Sequence, residues 1–386
     1  MNSPLIQIAH REILRIFRRK SGRTLLIYIP VSVFLFLSLI YVKGTLRDIP
    51  VAVYDEDHTA LSRLIIRYID ASSYAKVALY LNSEDDMRTF FLDHDDIPAI
   101  YYIPKGVEKG ILKGGSRKIV VYSNSSNIVF GNLVYKDANT IATTISVGIL
   151  LKKFMLQGQS LKKAMDLAMP IRTHAHPLFN PYYNYLYYLI PGLVTVLLQM
   201  ILFFAATRAI NSEFNENTID ELNRIAQGKI SNILLGKALA YTLAGLSIMT
   251  LIGAIFGIFK IPLRGNLFYL FSLFSYFIIT TVFLGLMLSS IVRDEILALD
   301  IAFFYNSPAF VFSGFTFPMF LMPFFDSFYG KIIPYTHFLN AFFKLYQMDT
   351  PLRYIKPELF GILIFLIVGV SGSFLFLKYQ LKKSTV

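Results

Sequence analysis

Residues 24–42 read TLLIYIPVSVFLFLSLIYV, an uncharged run of 19 residues between Arg23 and Lys43. An α-helix rises about 1.5 Å per residue, so about 20 apolar residues cross the roughly 30 Å hydrocarbon core of a bilayer. The run therefore predicts a membrane-spanning helix. It is longer than the core of a typical signal peptide, and no small-x-small cleavage site precedes Lys43. We interpret it as an uncleaved signal anchor.

Five further uncharged runs follow along the chain. Hydrophobic residues make up 55% of the sequence and charged residues 16%, against about 25% charged in soluble domains. The predicted fold is therefore an α-helical polytopic membrane protein, with six transmembrane helices plus an inserted α/β extracytoplasmic domain. The predicted second to sixth spans are 185–207, the segment between Lys237 and Lys260, the segment between Arg264 and Arg293, the segment from Asp300 to about Pro323, and 359–377.

Lysine and arginine in the short segments predict the orientation. The first 23 residues, the 208–237 loop, Arg293 and the C-terminal tail hold 14 of them, and the opposite short loops hold six. Positive charge accumulates on the cytoplasmic side, so both termini are predicted to be cytoplasmic, in the cell (inner) membrane. The predicted parts are a cytoplasmic interfacial helix (1–23), the first span (24–42), the extracytoplasmic domain (43–181), spans two to six (182–377) and a cytoplasmic tail (378–386).

The N-terminal segment alternates apolar and basic residues. Apolar side chains between positions 5 and 17 recur at near-helical spacing, with Arg and Lys between them. This pattern favours an amphipathic helix over residues 5–22, lying in the membrane interface. The alternative is a basic flank that only fixes topology. The net charge of +12 is explained by such lipid-facing flanks rather than by nucleic acid.

Residues 43–181 are polar enough for a soluble domain. Short β-rich runs alternate with helical ones, which predicts a small α/β domain. The predicted strands are 49–54, 77–81, 97–103 and 118–122, and the predicted helices are 58–70, 84–92, 105–113, 126–155 and a short one after it.

Two clusters in this region contain the residue types that bind metal ions. Residues 55–59 read Asp-Glu-Asp-His-Thr, and His174 and His176 form an isolated pair. The first is better explained as a turn followed by a helix cap, because Asp and Thr supply oxygens to free backbone amides. The second lacks further ligands at a suitable spacing. Cysteine is absent, which excludes disulfides and thiolate metal sites.

Motifs for enzyme chemistry are missing. No Gly-Lys pair is followed by Ser or Thr, so the chain has no P-loop for nucleotide phosphates, and neither His-Glu-x-x-His nor Gly-x-Ser-x-Gly occurs. Ion-coupled transporters usually bury Asp, Glu or Arg at mid-membrane, and the predicted spans contain almost no charge. We assign no catalytic or metal-binding residue. Energy for any uphill transport is expected from a cytoplasmic partner.

The 208–237 loop is where such a partner could dock. It resembles the loop of type-2 ABC exporter permeases, whose pattern is roughly Glu-x-Glu-x-Gly-Thr-x-Glu-x-Leu, then a Pro-containing stretch and Leu-Gly-Lys. The sequence departs from this pattern because Asn215 replaces the second acid, Asn217 replaces the Gly, and no Pro follows. The matching residues are Glu213, Thr218, Asp220, Leu222 and Gly236-Lys237.

Two other stretches support the resemblance. Residues 49–57, just after the first span, are similar to the start of the large extracytoplasmic domain in the multidrug-exporter-like branch. Gly314, Pro318, Pro323 and Pro334 lie where the family has short re-entrant helices, here predicted within 318–350. Proline interrupts helices where a chain reverses, although a plain Pro-rich loop is the alternative. The order of spans also matches, so the resemblance covers nearly the whole chain.

The resemblance implies a transport subunit that does not itself hydrolyse ATP. Two permeases, as a homodimer or heterodimer, would each sit on an ABC ATPase subunit that binds ATP and magnesium. The chain itself would bind no cofactor. Residues 211–230 would form a coupling helix seated in the ATPase, with a periplasmic adaptor as a further possible partner. The proposed coupling residues are Glu213, Glu216, Thr218, Asp220 and Leu222.

The implied function is export of a drug-like or lipid-like amphiphile from the cytoplasm or inner leaflet. Neutral polar residues of spans two and five could line its route, or could instead form helix-to-helix hydrogen bonds worth roughly 0.6–2 kcal/mol each. The alternative function is a membrane receptor or scaffold that senses through its extracytoplasmic domain, although the cytoplasmic segments are short for an effector. The candidate route residues are Thr195, Gln199, Asn306 and Ser307.

Overall fold

The computed structural model of the chain describes residues 3–384, which form two compact units. The helical unit comprises the residues up to Gly44 and from Pro177 onward, and the sheet unit comprises Thr45–His176. Within the described residues, six helices are long and apolar enough to cross a membrane, and one small mixed sheet is present. The prediction of a mostly helical chain with six helices of membrane-spanning length and composition is confirmed.

The chain begins with an amphipathic helix followed by the first candidate span. Ile8 and Ile16 on the first helix are buried within the helical unit, whereas Ile6 and Phe17 are about half exposed. The candidate span, Lys20–Ile40, includes a π-helical turn, Thr24–Tyr28. The three α-helices here are α1 (Pro4–Arg18), α2 (Lys20–Arg23) and α3 (Ile29–Ile40).

The sheet unit is built around a sheet ordered β2-β1-β3-β4. β1 pairs in parallel with β2 and β3, and β4 is antiparallel to β3. Side chains of β1 alternate between two hydrophobic clusters, because Val51 and Val53 face one and Ala52 the other. Its elements are β1 (Ile49–Asp55), α4 (Ala60–Asp70), β2 (Ala75–Leu81), α5 (Glu84–Asp93), β3 (Ala99–Ile103), α6 (Val107–Leu112), β4 (Val120–Ser123), α7 (Ile128–Leu156) and α8 (Leu161–Ala168).

The acidic cluster after β1 is a capping network. The Thr59 hydroxyl accepts a hydrogen bond from the Ser62 backbone amide at the start of α4, with an N···O distance of 3.2 Å. The Asp57 carboxylate accepts the backbone amides of Gly106, Val107 and Glu108 at 2.6–3.1 Å, at the start of α6. The interpretation of this stretch as a turn and a helix cap is confirmed.

The rest of the helical unit surrounds α13, which packs against α9, α17 and α18. Its helices are α9 (Tyr185–Thr207), α10 (Asn211–Asn215), α11 (Ile219–Ile225), α12 (Ile230–Ile258), α13 (Leu267–Ile291), α14 (Glu295–Asn306), α15 (Ala309–Phe312), α16 (Phe324–Lys331), α17 (Pro334–Tyr346) and α18 (Lys356–Ser384), with 3-10 turns at Met319–Leu321 and Leu352–Ile355.

Small and aromatic residues set the packing around α13. A Cβ added at Gly285 would lie 2.6 Å from the Ala206 Cβ, so only glycine allows α13 to approach α9 this closely. Close approach through small residues is a common way to pack membrane helices, where lipid gives no hydrophobic drive. On the α17 side, the Phe277 and Phe338 rings stack with centroids 4.0 Å apart.

The third and fifth spans differ from their predicted bounds. α12 begins at Ile230, so Lys237 lies inside the helix and the predicted loop 208–237 ends at Lys229. α14 begins at Glu295 after the Asp294 carboxylate caps it, and Asp300 lies within it as an exposed residue. The fifth candidate span ends at Phe312 instead of Pro323. The two wrong start positions come from treating any charged residue as a span boundary. The early end of the fifth span lies just before Gly314, whose φ of +87° is not helical.

The predicted re-entrant residues all lie at chain reversals or helix starts. Gly314 has φ +87°, a left-handed conformation that glycine adopts without a steric penalty. Pro318 and Pro323 directly precede the Met319–Leu321 turn and α16, and Pro334 is the first residue of α17. Proline suits these positions because it cannot donate the backbone hydrogen bond that a helix interior requires.

The Asp57 cap predicts a pH-dependent stability. Burial opposes its ionisation, but the backbone amides and the Thr59 hydroxyl hold the pKa of Asp57 below its ordinary value of 3.8. A lowered folded-state pKa gives stability that is present above pH 3.8 and lost as the pH falls further. Asp57→Ala should therefore destabilise the sheet unit by about 2 kcal/mol at pH 7, and by less below pH 3.8.

Hydrogen–deuterium exchange of peptides covering residues 99–112, in variant and wild type at each pH, measures this difference. Asp93→Ala, which removes an exposed carboxylate, is the control. An equal effect of Asp57→Ala at pH 7 and pH 3 would contradict the assignment.

Candidate coupling site

Helix α1 lies directly against α12 at Gly236. A Cβ at this position would be 2.7 Å from side-chain atoms of Ile8 and 3.0 Å from the Leu5 carbonyl oxygen. Both distances are too short for an ordinary contact, so only glycine permits this approach. The approach brings Glu12 of α1 against Lys237, the next residue of α12.

Lys237 is buried between two carboxylates. Its Nζ donates to Glu12 Oε2 at 2.6 Å and to Glu213 Oε1 at 2.9 Å, and all three side chains are almost fully buried. The Tyr241 hydroxyl donates to the other oxygen of Glu12 at 2.8 Å. Removing an ion from water costs several kcal/mol, which is offset only when good geometry satisfies each charge. Here each charge has two or more partners.

Glu213 is the centre of the arrangement. Arg11 donates to its two oxygens at 2.8 and 3.1 Å, and Arg15 also donates to it. The Thr218 hydroxyl donates to the same carboxylate, and the Thr218 amide donates to the Glu213 carbonyl at 2.9 Å. A single carboxylate thus joins α1, α10 and α12 and fixes the turn that follows α10.

Further ion pairs extend from this centre toward solvent. Arg15 pairs with Glu216 at 2.6 Å, Arg19 pairs with the same carboxylate, and Arg11 lies 3.6 Å from Glu221. Burial opposes the charges on Arg11 and Arg15, but Glu213 and the neighbouring carboxylates together outweigh it and raise the pKa of both. We call the whole set the charge cluster: Arg11, Glu12, Arg15, Arg19, Glu213, Glu216, Glu221 and Lys237.

The coupling segment, residues 211–229, carries α10 and α11. Asn217 joins them with φ +56°, a left-handed conformation that Asn tolerates better than most residues other than Gly. The replacement of the family's Gly by Asn therefore keeps the turn. Ile219 and Leu222 of α11 and Ala226, the residue after it, are buried and attach the segment to the helical unit.

The predicted coupling residues divide into buried and exposed groups. Glu213 and Leu222 are fully buried and Thr218 is partly buried, whereas Glu216 and Asp220 are exposed. Glu213, Glu216 and Thr218 are brought together, and Asp220 stands apart from them. The Glu213 carboxylate is fully buried and pairs with Arg11, Arg15 and Lys237 of its own chain.

The groups that hold these residues were not predicted from the sequence. Arg11, Arg15 and Arg19 recur every four residues, which places them on one face of a helix. That spacing could have predicted a partner surface with acids at a similar spacing, but the pattern was interpreted as an amphipathic helix in the membrane interface, with a basic topology flank as the alternative. The sequence around Glu12 and Tyr241 contains no pattern that indicates their part in the cluster.

Most of the candidate route residues are buried and form hydrogen bonds within the chain. Gln199 Nε2 donates to Asn306 Oδ1 at 2.7 Å, joining α9 to α14, and both side chains are fully buried. Thr195, also buried, donates to the Pro191 carbonyl of its own helix at 2.7 Å, and its hydroxyl lies 3.3 Å from the Tyr335 hydroxyl of α17. These contacts are those of the helix-to-helix alternative. Ser307, at the end of α14, is exposed.

Comparison with known proteins places the chain in a family. A sequence profile described as ABC-2 family transporter protein matches residues 20–375. The chain belongs to this family. It is 22% identical over 378 residues to the probable multidrug ABC transporter permease YbhR of Escherichia coli (strain K12), covering 97% of this chain and 98% of YbhR. It is 29% identical over 174 residues to YbhS of the same organism, also a probable multidrug ABC transporter permease, covering 44% and 45% of the two chains.

Family membership and the apolar helices identify a multi-pass ABC-2 permease. The Gly236-Lys237 pair, which ends the ABC-2 loop pattern, now has a physical explanation. Glycine lets α1 lie against α12, and lysine then completes the charge cluster beneath it.

We expect Lys237→Met to be strongly destabilising. It leaves the buried Glu12 carboxylate with the Tyr241 hydroxyl but without its cation, a loss that typically costs about 3–5 kcal/mol. Adding Glu12→Gln removes the stranded charge, so the double variant should regain at least half of the lost stability. Thermal unfolding of the purified proteins in detergent measures both effects. Additive losses in the double variant would contradict a direct pairing.

The contact at Gly236 can be tested by exposure of α1. The chain has no cysteine, so Ala9→Cys introduces a single label site that is 4% exposed. In the Ala9→Cys background, Gly236→Leu should displace α1 and increase the rate of maleimide labelling at least tenfold. Gly253→Leu on the same helix is the matched control, because nothing lies within 4 Å of a Cβ there. Equal labelling rates for Gly236→Leu and Gly253→Leu would show that the position of α1 does not depend on Gly236.

Proposed function

We propose that this chain is the membrane-spanning permease subunit of an ATP-driven exporter, powered by a separate ABC ATPase. Its cargo would be a drug-like or lipid-like amphiphile moved out of the cytoplasm or inner leaflet. Membership of the ABC-2 family supports the transport role. The names of the two E. coli relatives, probable multidrug ABC transporter permeases, support the choice of cargo.

The observation that carries the proposal is the way the coupling segment is held. Its inner side is fixed by the Glu213 carboxylate and by buried apolar residues of α11. Its outer side presents Asp220, Glu221 and Arg224 to solvent. A segment that is rigidly attached on one side and open on the other can transmit displacement from a partner to the spans.

The two groups of predicted residues then take different roles. Glu213, Glu216, Thr218 and Leu222 position the segment. Asp220 and the neighbouring Glu221, which was not among the predicted residues and lies 3.6 Å from Arg11, are exposed acids that can meet the ATPase. Both lie in the first turn of α11, where a negative charge is favourable because of the helix dipole. Acids there can pair with basic groups of a partner and contribute to its orientation.

The segment is also well placed to move the spans. It connects the end of α9 to the start of α12, and the charge cluster ties it to α1. In the proposed cycle, ATP and magnesium bind to the partner ATPases, which close and rock two permease copies between inward-facing and outward-facing states. The copies would form a homodimer or a heterodimer.

The remaining features complete the proposed arrangement. In this proposal both termini and the coupling segment are cytoplasmic at the inner membrane, and the sheet unit is extracytoplasmic, where a periplasmic adaptor could bind. The cargo route runs between the two copies along α9 and α14. Of the four candidate route residues, Ser307 is the one whose exposure suits direct contact with cargo.

The acids of α11 give the functional test. Asp220→Lys with Glu221→Lys should abolish co-purification of the ATPase in mild detergent and reduce export of a fluorescent amphiphile to background. Glu84→Lys with Asp85→Lys is the matched control, because these exposed acids occupy the first turn of α5 in the sheet unit. The control should keep both the ATPase and export.

The competing receptor function makes a different prediction for the same proteins. A receptor would keep its signalling without ATP hydrolysis and without net movement of amphiphile. Wild-type chain with a bound ATPase should instead export amphiphile only when ATP is present. Normal export by the Asp220→Lys, Glu221→Lys variant would overturn the proposed docking surface.

A further inference from the structure

The sheet unit contains an open groove between α4, α6 and α7. Its volume is about 850 Å³, within the range of about 300–1,000 Å³ typical of small-molecule sites. Leu61 and Leu64 of α4, with Ile145 and Ile149 of α7, give it an apolar wall. No step of the proposed coupling mechanism uses this groove.

Exposed apolar side chains converge on the groove. Leu112 and Leu156 are 80% and 81% exposed, and Leu64 and Tyr68 are more than one-third exposed. Single exposed leucines are ordinary on protein surfaces, but several around one concavity indicate a binding site.

Gly148 keeps the groove open. It lies within the 29-residue helix α7, where glycine costs about 1 kcal/mol relative to alanine. A Cβ at this position would meet nothing within 4 Å, and the residue has no positive φ. Neither packing nor backbone conformation requires glycine here. What its missing side chain provides is space in the groove.

Charge defines one end of the ligand. Lys152 and Lys153 line the groove near the C-terminal end of α7, and neither has an ion pair among the described residues. Glu108 also lines the groove, so the charge of the lining is positive overall. An apolar groove with two unpaired lysines complements a molecule that has an apolar body and an anionic head.

We propose that this groove binds an anionic amphiphile, with its hydrocarbon body against α4 and α7 and its head group at Lys152 and Lys153. A fatty acid and a lysophospholipid share this chemistry. The proposal concerns binding by the sheet unit alone, so it stands or fails separately from the docking of an ATPase at α11.

Photo-crosslinking of the full chain in phosphatidylcholine nanodiscs tests the proposal. The probe is a diazirine-bearing palmitic acid, compared with the alcohol of the same chain, and the labelled peptides are identified by mass spectrometry. The acid should label residues 60–68 and 144–157. Gly148→Leu should reduce this labelling at least tenfold, and Gly148→Ala, the matched smaller change, should reduce it less.

The two lysines are proposed to make the groove prefer an anionic head group to a neutral one. Lys152→Ala with Lys153→Ala should lower the acid-to-alcohol labelling ratio severalfold while leaving alcohol labelling unchanged. All variants should keep the wild-type unfolding temperature or raise it, because Ala and Leu favour a helix more than Gly does. Competition by unlabelled palmitate or by lysophosphatidylglycerol then shows which source of the anionic head binds more tightly.

Several results would overturn the inference. Labelling confined to the membrane spans would do so, as would equal labelling of residues 144–157 in wild type and folded Gly148→Leu. Equal labelling by acid and alcohol would refute the role of the lysines. Capture of a polypeptide at the groove that fatty acid does not displace would replace the amphiphile with a protein partner.

Discussion

The structure of the helical unit depends on one buried ammonium group. Lys237 lies inside α12 with no exposure to water, and its charge is satisfied by Glu12 and Glu213. These carboxylates come from α1 and α10, so both helices must be in place before the lysine can be buried without a large penalty. The cost of burying charge thereby specifies how three separate elements assemble.

The need to pair Lys237 also fixes how the coupling segment is attached to the spans. Gly236 allows α1 to reach α12, and the arginines of α1 then surround Glu213 from the other side. The coupling segment is consequently held at its base by ionic contacts and along α11 by apolar ones. Movement applied to its exposed acids would be passed to α9 and α12 rather than absorbed by a flexible loop.

The spans and most of the sheet unit could be predicted because their patterns are local. Uncharged runs mark the six candidate spans, and β1 and α4 lie within two residues of their predicted bounds. The position of Lys237 inside α12 was not predicted, because it depends on distant partners. Arg11 and Glu213 are 202 positions apart in sequence, and no local pattern reveals their pairing. Glu213 was selected from the loop pattern, which did not indicate that the structure buries it among Arg11, Arg15 and Lys237.

Distance measurement across the charge cluster tests the central claim most directly. In the cysteine-free chain, spin labels at Leu14→Cys on α1 and at Gln227→Cys, two residues after α11, would report their separation by pulsed electron paramagnetic resonance. With the ATPase bound, we predict one narrow distance distribution that is the same without nucleotide and with ATP trapped. A distribution that broadens or shifts on ATP binding would show that α1 and the coupling segment move independently, which contradicts the account.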